Sequence, residues 1–91
     1  MTRTIEMTTR FKKDYKRELK TDPGLPEKLT SVIELLATDA ELPERLSDHP
    51  LQGDWKGFRD CHIKPDLVMI YAKSEGVLSL ARLGSHSELF G

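Results

Sequence analysis

The sequence predicts an α+β fold in the order strand, helix, helix, strand, strand, strand (β-α-α-β-β-β), with a helical hairpin packed on a small antiparallel sheet. Two observations carry that prediction. The first half shows apolar residues at helical spacing, and the second half shows three extended apolar segments joined by short turn-like links. A third concerns the middle segment, Leu67–Ala72 (LVMIYA), which is apolar on consecutive residues, as in a strand buried on both faces.

The elements follow in order. Thr2–Met7 alternates Ile5 and Met7 with polar residues, a short strand pattern. Thr8 or Thr9 is placed to cap a first helix, in which Phe11, Tyr15 and Leu19 recur every four residues as one apolar stripe. Asp22-Pro23-Gly24 stops that helix, and Pro26 suits the first turn of a second one, where a missing N–H costs nothing. Leu25, Leu29, Val32, Ile33 and Leu36 line one face of the second helix. From Pro43 to Asp54 periodicity is lost and Pro43, Pro50 and Gly53 punctuate a loop. Trp55–Ile63, Leu67–Ala72 and Val77–Leu83 then form an antiparallel meander through the turns at Lys64-Pro65-Asp66 and Lys73–Gly76. The end segment, Leu83–Gly91 (LGSHSELFG), is expected to be ordered: Gly84 turns the chain, and Leu89 packs back on the body.

Ninety-one residues suit one domain spanning 1–91 with a single modest core. No apolar run approaches the roughly 20 residues of a membrane span, and the N-terminal stretch lacks the apolar region of a secretory signal. With one cysteine, Cys61, no internal disulfide or cysteine-based zinc cluster is available. A reducing cytoplasm is the expected location. The formal net charge is −1, yet six of the residues from Arg10 to Lys20 are basic (Arg10, Lys12, Lys13, Lys16, Arg17, Lys20), so one helix can carry a local cationic face.

All three histidines lie in the second half: His49 in the loop, His62 near a strand end and His86 after the last strand. In a meander, the end of the first strand, the turn beyond it and the end of the third strand share one edge. His62, Asp66, Arg82 and His86 can therefore converge there, with the loop supplying His49. A metal is not expected, because no His-x-x-x-His pair sits on a helix and Cys61 faces away from His62. Metal-free cleavage of RNA fits the residue set better. It needs a base for the 2′-hydroxyl, an acid for the departing 5′-oxygen and a cation beside the phosphate. Histidine, with a reference pKa of about 6.5, serves either proton role at neutral pH. Arginine matches phosphate oxygens, a carboxylate such as Asp66 tunes an imidazole, and Phe90 can stack on a base.

The stretch His49–Asp66, HPLQGDWKGFRDCHIKPD, resembles the signature of the YafQ branch of the RelE-type toxins, and Ile70-Tyr71 with Arg82–Phe90 (RLGSHSELF) resembles the same family's ending. That resemblance implies a RelE-like ribonuclease fold without metal or cofactor. It also implies a type II toxin that cleaves mRNA in the ribosomal A site and is blocked by a cognate antitoxin. A membrane is not an expected partner, and DNA is met only through the antitoxin complex. By position, the family's active-site residues fall on His49, His62, Asp66, Arg82, His86 and Phe90. His49 is then the expected base and His86 the acid, in an order that can be exchanged. Arg82 stabilises the charged phosphorane, Asp66 and His62 orient and tune, and Phe90 holds the message. Lys56, Arg59 and the helix residues Lys12, Lys13, Lys16, Arg17 and Lys20 are the expected RNA contacts. One departure stands out: Leu67 follows the turn aspartate where relatives carry an aromatic. The alternatives are a same-fold toxin without nuclease activity, such as a ParE-like gyrase inhibitor, and a catalytically inactive antitoxin- or RNA-binding relative.

Overall fold

The computed structural model describes residues 2–91, with elements β1 (Thr4–Met7), α1 (Thr9–Leu19), α2 (Leu25–Ala37), β2 (His49–Pro50), β3 (Arg59–Lys64), β4 (Leu67–Ser74), β5 (Val77–Gly84) and α3 (His86–Phe90). They form one five-stranded sheet in the order β1-β5-β4-β3-β2. The meander β3-β4-β5 is antiparallel, as expected. The sheet as a whole is mixed, because β1 runs parallel to β5. Thr4 N–H donates to Gly76 O at 2.8 Å and Thr8 N–H to Leu80 O at 3.1 Å, which seats β1 before the chain leaves into α1.

Why these elements form is local chemistry. Thr8 caps α1, its hydroxyl accepting from Phe11 N–H at 3.0 Å. The stripe on α1 buries Phe11, and α2 buries Leu25, Leu29, Val32 and Leu36. Both helices lie on one sheet face, against Cys61, Ile63, Leu67, Met69, Tyr71, Leu78, Leu80 and Leu83. Each large side chain so buried contributes about 1.5–3 kcal/mol, which makes this the principal core. A smaller cluster of Val68, Ile70, Ala81 and Leu89 covers part of the other face, beneath Leu51, Trp55 and Phe58. The residues of β4 from Leu67 to Tyr71 are all buried, between the two layers.

Three expectations change. The strand placed at Trp55–Ile63 begins only at Arg59, because Gly53–Trp55 forms a single 3₁₀ turn and Gly57 has φ of 94°. The Trp55 and Phe58 rings meet edge to face at 5.2 Å, folding this loop onto the open sheet face. The aperiodic segment before it is not wholly loop: Glu44–Leu46 makes another 3₁₀ turn, and His49–Pro50 pairs with β3 as an edge strand. Finally, Gly84 does not turn the chain. It is the last residue of β5, and a Cβ there would sit 3.4 Å from Leu89 Cδ2 and 3.3 Å from Arg17 Nη2. Its small size admits α3 against the sheet, and Ser85 makes the break.

The end segment is tied at several points. Ser85 and Glu88 form a reciprocal capping box, Leu89 is buried, and Glu88 pairs with Arg17 at 3.0 Å. β5 runs beyond β1, which pairs only with Val77–Leu80, so its remaining edge would be open. Side chains of the α1 segment close it. Thr8 Oγ1 donates to Ala81 O at 2.8 Å, Arg17 Nη2 donates to Leu83 O at 3.2 Å, and Asp14 accepts from Leu83 N–H at 3.0 Å.

Candidate active site

Sheet register builds the site. His49 lies opposite Asp60, Asp60 opposite Ile70, and Ile70 opposite Arg82, one row across four strands. In the next row His62 stands opposite Val68, and Val68 opposite Gly84, just before α3. Asp60 and His62 share the sheet face away from the helices, since side chains two apart point the same way. Arg82 joins that row only through a β-bulge. Ile70 pairs with Arg82 but Tyr71 with Leu80, which leaves Ala81 as the extra residue. The extra residue reverses the alternation, turning Arg82 to the open row and Leu83 into the core.

Three imidazoles gather around this row. His62 and His86 have ring centroids 5.0 Å apart, and the Phe90 ring lies 6.1 Å from His86. His86 opens α3, so the capping box that fixes Ser85 also fixes the histidine after it. His49 Nδ1 lies 2.7 Å from the carbonyl oxygen of Ser47, a residue in the left-handed conformation with φ of 47°. A carbonyl only accepts, so Nδ1 carries the hydrogen and the neutral ring leaves Nε2 free as an acceptor. The loop bearing His49 is anchored by Asp48, which accepts from Arg59 at 2.9 and 3.3 Å and from the hydroxyl of buried Tyr71.

The carboxylates differ from expectation. Asp66 lies on the exposed rim, with Oδ1 3.9 Å from His86 Nδ1, beyond hydrogen-bond length. The buried carboxylate of the site is Asp60, which sequence reasoning missed. Its Oδ1 is 3.1 Å from His49 Nδ1 and makes no hydrogen bond among the described residues. Burial pushes its pKa up, while His49, His62 and His86 pull it back and Asp48 adds to the rise. A signal existed in the sequence: Asp60 and His62 alternate on one strand, and so share a face.

Arg82 occupies the far end of the row, two strands or about 10 Å from Asp60. Its Nε and Nη2 donate to Asp14 of α1 at 2.7 and 3.3 Å. Asp14 is itself buried. Desolvation alone would raise its pKa, but the Arg82 hydrogen bond, the Leu83 N–H and the charges of Arg82 and Arg17 together lower it. Cys61 takes no part, since it points into the core and burial raises its thiol to about 12.

The basic residues divide into two sets. Arg17 is engaged by Asp14, Glu18, Glu88 and Leu83 O, and Arg59 by Asp48. Lys12, Lys13, Lys16, Lys20 and Lys56 are exposed. The first three of these rim a groove of about 590 Å³ between the helices, floored by Phe11, Tyr15, Leu29 and Ile33. Among the described residues no group of three His, Cys, Asp or Glu side chains is placed to hold a metal ion, and no helix is long and apolar enough to cross a membrane.

The fold is shared by solved bacterial toxins. A metal-bound toxin from Helicobacter pylori superposes with a TM-score of 0.90 at 46% identity, covering 99% of this chain and 100% of that one. The toxin of the E. coli DinJ-YafQ complex superposes with a TM-score of 0.87 at 40% identity, covering 98% of this chain and 99% of that one. The mRNA interferase toxin YafQ of E. coli K12 is 40% identical over 90 residues, 98% of this chain and 97% of that protein. Residues 3–91 match the model of the YafQ family, described as bacterial toxins of type II toxin-antitoxin systems. The chain belongs to the YafQ family of type II toxins.

Proposed function

We propose that this toxin is an mRNA interferase that cuts messages on the ribosome, with the whole chain 1–91 acting as one catalytic domain. The observation that carries this reading is the His49 hydrogen bond to Ser47 O, which leaves Nε2 as a free base beside two more imidazoles. His49 Nε2 takes the proton of the 2′-hydroxyl, and the oxygen attacks phosphorus. His86 protonates the departing 5′-oxygen. The products are a 2′,3′-cyclic phosphate and a 5′-hydroxyl. Arg82, held aligned by Asp14, supplies positive charge toward the phosphorane, while His62 orients and Phe90 stacks on the message.

Side chains of the protein handle each proton and charge of this reaction. Exposed Lys12, Lys13, Lys16, Lys20 and Lys56 meet ribosomal RNA phosphates, since neutralised phosphates drive such affinity. Arg17 and Arg59, already engaged within the fold, act on RNA through the surfaces they hold in place. A cognate antitoxin restrains the activity, as the pairing of YafQ with DinJ in E. coli suggests, and the toxin works in the cytoplasm. Purified protein with programmed ribosomes is expected to cut the message, and His86→Ala is expected to slow cutting by about 10²-fold or more. Unchanged cleavage by that variant removes the acid role. A chain that leaves message intact but inhibits gyrase supercoiling is the non-nuclease toxin instead.

A further inference from the structure

We propose that Asp60 is a positioning residue for the cleavage reaction, its buried carboxylate orienting the His49 imidazole and sustaining the basicity of Nε2. The inference rests on the ribonuclease reading above and adds to it the group that sets the strength of the base.

Strand register places the two residues directly opposite one another, and Asp60 Oδ1 lies 3.1 Å from His49 Nδ1. The Nδ1 hydrogen is donated to Ser47 O, which fixes the tautomer, and Asp60 Oδ1 lies beside that N–H without sharing its hydrogen bond. Asp60 is 1% exposed, and Oδ1 has no hydrogen-bond donor among the described residues. A buried carboxylate without a partner is costly, and fold stability alone gives no reason to keep one here. The groups that face it explain its presence. They are His49 from β2, His62 from its own strand and His86 from α3, with Asp48 as the like charge before β2 and Cys61 as a neutral thiol behind. No lysine or arginine pairs with it in the described residues. The cation it can meet is therefore an imidazolium.

His49 becomes imidazolium when it takes the 2′-hydroxyl proton. As a carboxylate, Asp60 gains its best partner as the reaction proceeds. Such an interaction is stronger in the transition state than before it, which is what accelerates a chemical step.

The test uses Asp60→Asn, which keeps the shape and removes the charge, in the full chain. A nearby opposite charge favours the charged form of an imidazole. In a ring Cε1–H NMR titration, the His49 curve is expected to move to lower pH in the variant. In cleavage of ribosome-bound message, the plateau rate is expected to fall about tenfold or more. The base acts in its neutral form, so the acid limb of the pH profile should move to lower pH together with that curve. An unchanged His49 titration, or a uniform loss of rate with the limb unmoved, overturns the proposal. If the unaltered protein cuts no message, the ribonuclease reading fails, and the NMR comparison still decides whether Asp60 tunes His49. Should the variant not fold, a carboxyl ¹³C titration of the unaltered protein serves instead. Asp60 is expected to show an inflection at the His49 pKa, and a featureless curve there overturns the coupling.

Discussion

Asp14 and Asp60 are both at most 2% exposed, and they stand toward opposite ends of the row His49–Asp60–Ile70–Arg82. Asp14 receives hydrogen bonds from Arg82, Arg17 and the Leu83 N–H, and its pKa is lowered. Asp60 receives none at Oδ1, faces imidazoles, and its pKa is raised. The same side-chain chemistry is thus a brace in one place and a tuning group in the other. What differs is whether the partner is always charged. An arginine is a cation at any working pH, whereas a histidine is one only part of the time. The Asp14 end holds β5, α1 and Arg82 in register, and the Asp60 end holds a charge in reserve for the proton transfer.

Opposite responses to substitution would sharpen that contrast. Asp14→Ala leaves Arg82 without its buried partner, and urea denaturation is expected to show a loss of about 3–5 kcal/mol. A loss below about 1 kcal/mol would make Asp14 an ordinary surface acid. Asp60→Asn removes an uncompensated buried charge and should raise stability at pH 7 by about 1 kcal/mol. A large destabilisation instead would make Asp60 a second brace and break the comparison.

The pH dependences should also have opposite signs. The folded-state pKa of Asp14 lies below its ordinary 3.8, so its contribution is present above that value and lost as pH falls through the depressed pKa. For Asp60 the folded-state pKa is raised, so its favourable contribution belongs to pH below 3.8 and is lost as pH rises through the raised value. Acid unfolding of Asp14→Asn and Asp60→Asn, each against the unaltered chain, should show the first curve flattened below pH 3.8 and the second flattened above it.

The smallest effect concerns the terminal helix. The Arg17–Glu88 pair is 45% and 42% exposed, and a double-mutant cycle to alanine should give a coupling of about 0–1 kcal/mol. Leu89 and the capping box would then be the principal ties of α3. A coupling well above that range would transfer the role to Arg17.

Much of this arrangement was legible from residue order. The meander, with its two short turns, brings His62, Asp66 and His86 to one edge, and the structure places them there. Helix stripes located the hairpin, and the end segment forms α3, capped by Ser85. Asp60 left only the trace of its alternation with His62, and Asp14 left none. Asp14 sits three residues after Phe11, near the apolar stripe, yet looks like one more charge in a charged helix. The bulge at Ala81 left a trace, since Leu78, Leu80 and Leu83 are spaced two and then three apart. That trace became meaningful only once Arg82 was seen to face the row.

Periodicity, caps and turns depend on residues a few positions apart, so the primary structure determined the elements, their order and the histidine edge. Burial of a carboxylate depends on what packs across it from distant strands and helices. Folding therefore decided that Asp14 would be satisfied by Arg82, 68 residues away, and that Asp60 would wait beside His49.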